Sequence, residues 1–211
     1  MNQIKNLDKL GNLAFFNKTA LMQVCQLSEA SLYANINRWI KTERLVQIKK
    51  GCYVTRTYLL QVKDQDAYAA FVANKIREPS YLSLESVLQK NSILTEAVFS
   101  HTNVTLKATR VYVNRLGTFI YHNIKESLFT GYSITKVGDF FIKEASPAKA
   151  LFDYLYYKTL DTPLINEALV ESLRLNLDEL KNKDLKEFAV YCRLAGTKKL
   201  LLLPKIIRRL L

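Results

Sequence analysis

NKTALMQVCQLSEASLYANINRWIKTERLVQIKKGCYVT, residues 17 to 55, carries two short helical patterns and a two-stranded pattern within a single stretch. Asn17 is a natural cap for a helix over 18–25, in which Ala20, Leu21, Val24 and Cys25 share one face. The period breaks at Gln26-Leu27, and Ser28 can cap a second helix from Glu29 to near Thr42. Leu32, Ile36, Trp39 and Ile40 form its apolar stripe at three- and four-residue spacing. Ala30, Ser31, Ala34, Asn37, Arg38 and Lys41 then point away, with Tyr33 at the edge.

That outward face is small, polar and cationic. A helix that enters a major groove needs small residues for close approach, an amide for base edges and a guanidinium or ammonium for guanine or phosphate. Residues 45–49 and 52–55 alternate apolar and polar as two strands joined through Lys50-Gly51, where glycine supplies the positive φ of a tight hairpin. Helix, turn, helix and basic-tipped hairpin is the order of a winged helix-turn-helix. Asn37 and Arg38 are the base-reading candidates, Ser28, Ser31, Tyr33 and Lys41 flank them, Lys18 and Thr19 anchor the backbone, and Lys49 and Lys50 reach from the wing. A solvated helix surface has a similar composition, and such a module can also serve protein contacts.

Charge favours the polyanion. The chain of 211 residues has a formal net charge of +12, and its first sixty residues hold nine Lys or Arg against three acids. With 49% hydrophobic residues a folded core is expected, and disorder is excluded. Cys25, Cys52 and Cys192 have no paired spacing, which argues against a disulfide framework or a thiolate zinc site and for a reducing, cytoplasmic setting. The N-terminal residues lack the continuous apolar core of a secretion signal, and LLLLPKIIRRLL at 200–211 is too short and too charged to span a bilayer, so no membrane role is expected.

Ile4, Leu7, Leu10 and Leu13 suggest an opening helix over 2–10 that completes a three-helix core. After the hairpin, residues 57–62 bridge into a helix over 64–76 capped by Asp64 or Asp66, and Tyr81 to Gln89 reads as a short helix capped near Ser83. Residues 98–105, 109–114, 117–124 and 139–143 are rich in β-branched and aromatic residues, the signature of a small antiparallel sheet. Ser146-Pro147 opens another helix, and three more fill 164–175, 184–194 and 197–211, the whole region from Pro163 being helical. The fold class is α+β: a winged helix-turn-helix over 1–60, then a mixed domain over 61–211 with a small antiparallel sheet and a helical C-terminus.

Other constellations read as structural. Lys149 and Asp153, one turn apart, look like an ordinary salt pair at a helix start. Lys107, Arg110, Arg115, Lys125 and Lys136 form either a second basic patch or scattered surface charge. Asp139, Lys143 and Glu144 lack the acid-any-lysine order of a metal nuclease, and His101 and His122 read as strand-face residues. No phosphate loop or nucleophile elbow is present, so neither catalysis nor a cofactor or metal is expected.

The order of pieces resembles a known group. A winged N-terminus, YLSLESVLQKNSIL (81–94), GTFIYHNI (117–124), LFTGY (128–132) and SPAKALFDYLYY (146–157) are similar to the AbiEi family of antitoxin transcriptional regulators, over roughly residues 10–160. The resemblance implies a bacterial type IV toxin–antitoxin operon in which the chain represses its own promoter through the N-terminal module. It also implies a nucleotidyltransferase-like toxin, opposed through the second domain without a stable complex. A homodimer on DNA is left open. Two alternatives stand beside this reading: a winged regulator whose second domain senses a ligand or dimerises, and a metal-dependent nucleic-acid enzyme.

Overall fold

The computed structural model describes residues 3–162 and 164–211, with side chains from residue 6 onward. Asn2, the Ile4 side chain and Pro163, which enter the sequence reading, lie outside the described residues.

The chain begins with α1 (Gln3–Asp8), a two-residue strand β1 (Phe16–Asn17), α2 (Lys18–Cys25), α3 (Glu29–Lys41), β2 (Leu45–Lys49) and β3 (Cys52–Thr55). The three strands form an antiparallel sheet in the order β1-β3-β2. Leu7, Leu21, Leu32, Ile36, Trp39 and Tyr53 are among the buried residues that bind helices to sheet. β1 escapes a sequence reading because two residues cannot display a period of two.

The hairpin has two working faces. Leu45 and Tyr53 join the first core, whereas Val46, Ile48 and Val54 belong to the second and larger one. A strand alternates sides, so one hairpin can be shared between two cores. The division expected near residue 60 is therefore bridged by the hairpin itself.

α4 (Arg56–Gln61) and α5 (Gln65–Ile76) follow, the latter capped by Asp64 Oδ1, which accepts from Ala67 N at 2.8 Å. Then come β4 (Ser80–Leu82), α6 (Leu84–Lys90), β5 (Ser100–Thr105), β6 (Arg110–Asn114), β7 (Gly117–Asn123), β8 (Tyr132–Val137) and β9 (Phe140–Ala145). The chain closes with α7 (Pro147–Lys158), α8 (Glu167–Ser172), α9 (Asn182–Ala195) and α10 (Lys198–Leu210). Among the described residues no helix is long and apolar enough to cross a membrane.

The second sheet differs from the expected small antiparallel one. It has six strands in the order β6-β7-β5-β4-β9-β8, and two of its pairings, β5 with β7 and β4 with β9, are parallel. The difference comes from β4, which sits at the centre where the sequence suggests a turn and a helix. All three of its residues are buried, so no polar alternation marks it. β8 fails for the opposite reason, being an edge strand exposed over most of its length.

Helices cover both faces of this sheet. On one, Tyr68 and Phe71 of α5 pack against Phe140 at 5.5 and 5.2 Å between ring centroids, and Tyr121 donates to Ala73 O at 2.5 Å. On the other, Tyr81 of β4 reaches α7, behind which α9 packs Tyr191 against Phe152, with ring centroids 5.8 Å apart. Gly131, in the loop entering β8, adopts φ +77 beneath Tyr191 and Lys149.

A Cβ at Gly131 would collide with the Tyr191 ring and lie 2.9 Å from Lys149 Cγ. Gly131→Ala is expected to lower stability by about 2–3 kcal/mol, combining backbone strain with overpacking. Denaturant titration measures it, and an unchanged midpoint would contradict this packing.

Candidate nucleic-acid interface

The surface begins with caps. Asn17 Oδ1 accepts from Ala20 N at 2.8 Å, and Ser28 Oγ from Ser31 N at 3.3 Å. Between them Gln26 takes a left-handed conformation, φ 52 and ψ 49, and Leu27 N returns to Met22 O at 3.0 Å. This closes the first helix and swings the chain into α3.

α3 buries Leu32, Asn35, Ile36 and Trp39. Its other side exposes Tyr33, Ala34, Asn37, Arg38 and Lys41, and Ser31 is half-buried. None of these packs into the second core. Lys18 and Thr19 are exposed at the start of α2, with Lys18 Nζ 5.9 Å from the Tyr33 ring centroid. Ser28 Oγ and Ser31 Oγ stand 3.0 Å apart, both committed to the first turn of α3. Lys18, Tyr33, Asn37, Arg38 and Lys41 thus belong to one compact module.

Asn35 is the residue that sequence reasoning misses. Its Nδ2 donates to Ser31 O at 2.8 Å, and its Oδ1 accepts from Arg38 Nη2 at 2.5 Å. The buried amide therefore sets the direction of an exposed guanidinium. Its i−4 and i+3 spacings were visible, but an asparagine on the inward side of the helix carried no apolar signal.

The hairpin distributes its lysines unevenly. Lys49 Nζ donates to Ile76 O at 2.7 Å, capping the end of α5 from a half-buried position, so it does not extend from the tip as expected. A register shift between Gln47 and Lys49 accompanies that turn. Lys50 remains exposed beside Gly51, whose φ is +78.

Several contacts hold the module against the second sheet. Asn114 Nδ2 donates to Ile48 O at 2.8 Å, and Tyr68 Oη to Ala14 O at 2.7 Å. Glu43, after α3, accepts from Arg115 in the β6–β7 turn and from Arg56. Those hydrogen bonds, Arg115 first, hold its carboxyl below the usual carboxylate range.

The basic residues on and beside the second sheet do not form a single patch spanning it. Arg110 lies on β6 and Lys136 on β8, the two opposite edges of the sheet, and Arg115 is engaged with Glu43. Glu144 is paired with Lys90 at 2.8 Å, and Lys143 alternates to the opposite face of β9, which separates the Asp139, Lys143 and Glu144 group. No group of three or more His, Cys, Asp or Glu among the described residues is placed to hold a metal ion.

The Lys149–Asp153 pair is no ordinary surface pair. Both side chains are 0% exposed, with Nζ 2.5 Å from Oδ1. Oδ2 accepts from Ser83 Oγ at 2.7 Å and Tyr81 Oη at 3.1 Å, and Lys149 Nζ lies 4.7 Å from the Phe152 ring centroid. Burial pushes the Asp153 carboxyl up and the Lys149 ammonium down, and each partner opposes the other's shift. Helical spacing showed that the two could meet, but burial depends on strands and helices distant in sequence.

No family model and no curated protein matches the chain.

Removing one partner of a buried pair leaves an uncompensated charge, at a cost of about 3–5 kcal/mol. Asp153→Leu is expected to destabilise by that much, and Lys149→Met with Asp153→Leu to recover most of the loss. Equal losses for the single and double variants, measured by denaturant titration, would mean that charge is not the operative term.

Proposed function

We propose that residues 1–60 form a winged helix-turn-helix that binds duplex DNA, with α3 in the major groove and Lys50 at the wing. The observation that carries this reading is the exposed face of α3. It holds Asn37, Arg38 and Lys41 clear of the second core, on a module already anchored through its other side. Asn and Arg are the side chains that make bidentate contacts to adenine and guanine. The fixed direction of Arg38 also reduces the ordering cost of such a contact.

A net charge of +12 adds a sequence-independent pull through counterion release. Together with the resemblance to AbiEi regulators, these features support a transcriptional repressor acting on its own promoter in the cytoplasm, as the antitoxin of a type IV system. The second domain would oppose a nucleotidyltransferase-like toxin without a stable complex.

Footprinting on the DNA upstream of the chain's own gene tests the reading. A discrete protected site is expected, and Asn37→Ala or Arg38→Ala should weaken it about ten- to a hundredfold. Lys50→Ala should weaken all sequences alike and flatten the salt dependence. Undiminished protection in both α3 variants would remove α3 as the reading element.

A further inference from the structure

On the sheet face that carries α5, the start of that helix, α6 and the strands leave a cleft of about 640 Å³. That volume lies within the range of small-molecule sites. Ala67, Ala70, Leu82 and Ile142 supply apolar lining. Phe99 stands at the cleft with 91% of its surface exposed, although aromatic rings dominate burial energetics elsewhere.

The charge of the lining is opposite to that of the chain. Glu144 is neutralised by Lys90, which meets both of its oxygens at 2.8 Å. Asp64 and Asp66 also line the cleft, and Asp66 has no hydrogen-bond or ion-pair partner among the described residues. Both aspartates sit at the start of α5, whose macrodipole offsets only about half a charge. An excess of more than one negative charge remains in a protein of net charge +12.

His101 does not cancel it. Its ring stacks on Phe119 at 5.1 Å, and burial, opposed by the charge of Asp66, holds its pKa below the usual histidine value, which disfavours the cationic form.

We propose that this cleft binds a small organic cation with a flat apolar body, the ring stacking near Phe99 and the charge directed toward Asp64 and Asp66. The chemistry is that of an aryl amidine: a planar group for the apolar lining, a delocalised cation for the carboxylates, and a face for the phenyl ring. The site is separate from the α3 surface, and its test needs no DNA.

Three probes with one body and different charge separate the contributions. They are 4-aminobenzamidine, neutral 4-aminobenzamide and anionic 4-aminobenzoate, titrated calorimetrically into the full chain. The cation is expected to bind about fivefold or more tighter than the neutral analogue, and the anion weakest. Asp66→Asn should reduce the preference for the cation without changing affinity for the amide. Phe99→Ala should weaken cation and amide together. Both positions are exposed, so both variants should remain folded, with at most a small fall in melting temperature for Asp66→Asn, which removes a charge from the start of α5. Equal binding of the three probes, no binding, or binding unchanged in both variants would overturn the proposal.

Discussion

The carboxylate of Asp153 is the point on which the larger core turns. It accepts from an ammonium on its own helix, from Ser83 at the start of α6 and from Tyr81 on the central strand. One side chain thus joins α7, α6 and β4. Desolvating such a carboxylate costs several kcal/mol unless its oxygens are satisfied, so the neighbours are held to the positions that satisfy it. Ser83 illustrates the constraint. It occupies the N-cap position of α6 yet makes no cap bond, because its hydroxyl is turned to Asp153.

A second constraint links the two halves. α5 packs on the sheet through Phe71 and Tyr68, and Asn74 exchanges hydrogen bonds with the backbone of Lys143 on β9. The same helix donates from Tyr68 to Ala14 O, and its last turn accepts the Lys49 ammonium. With Val46, Ile48 and Val54 buried against it, the hairpin is a shared wall rather than a free arm. The exposed side of α3 is therefore set relative to the sheet by packing as well as by the exposed contacts of Glu43.

The sequence was most legible where structure is local. Asn17 and Ser28 cap the helices assigned to them, and β2 and β3 fall at residues 45–49 and 52–55 because Gly51 and the alternation are local signals. The outward residues of α3 follow from the same periodicity. Legibility ends where contacts between distant segments decide. β4 is recognisable only once β5 and β9 flank it, and Lys49 leaves the tip only because the end of α5 lies within reach. The candidate surface on α3 could be read from spacing, whereas Asn35 and the direction it imposes on Arg38 needed the helix to be seen with its core.

The β4–α6 junction shows how distant contacts can override a local preference. Leu84 has φ +55, a left-handed conformation that costs a residue with a Cβ roughly 1–2 kcal/mol, and the preceding serine forgoes its cap. Two gains oppose that cost. Leu84 is almost wholly buried, worth about 1.5–3 kcal/mol, and the Ser83 hydroxyl satisfies a carboxylate that would otherwise be short of a donor. The backbone is thus bent away from its own preference to serve Asp153. A local reading of YLSLESVL that ends in a regular capped helix stops where this tertiary demand begins.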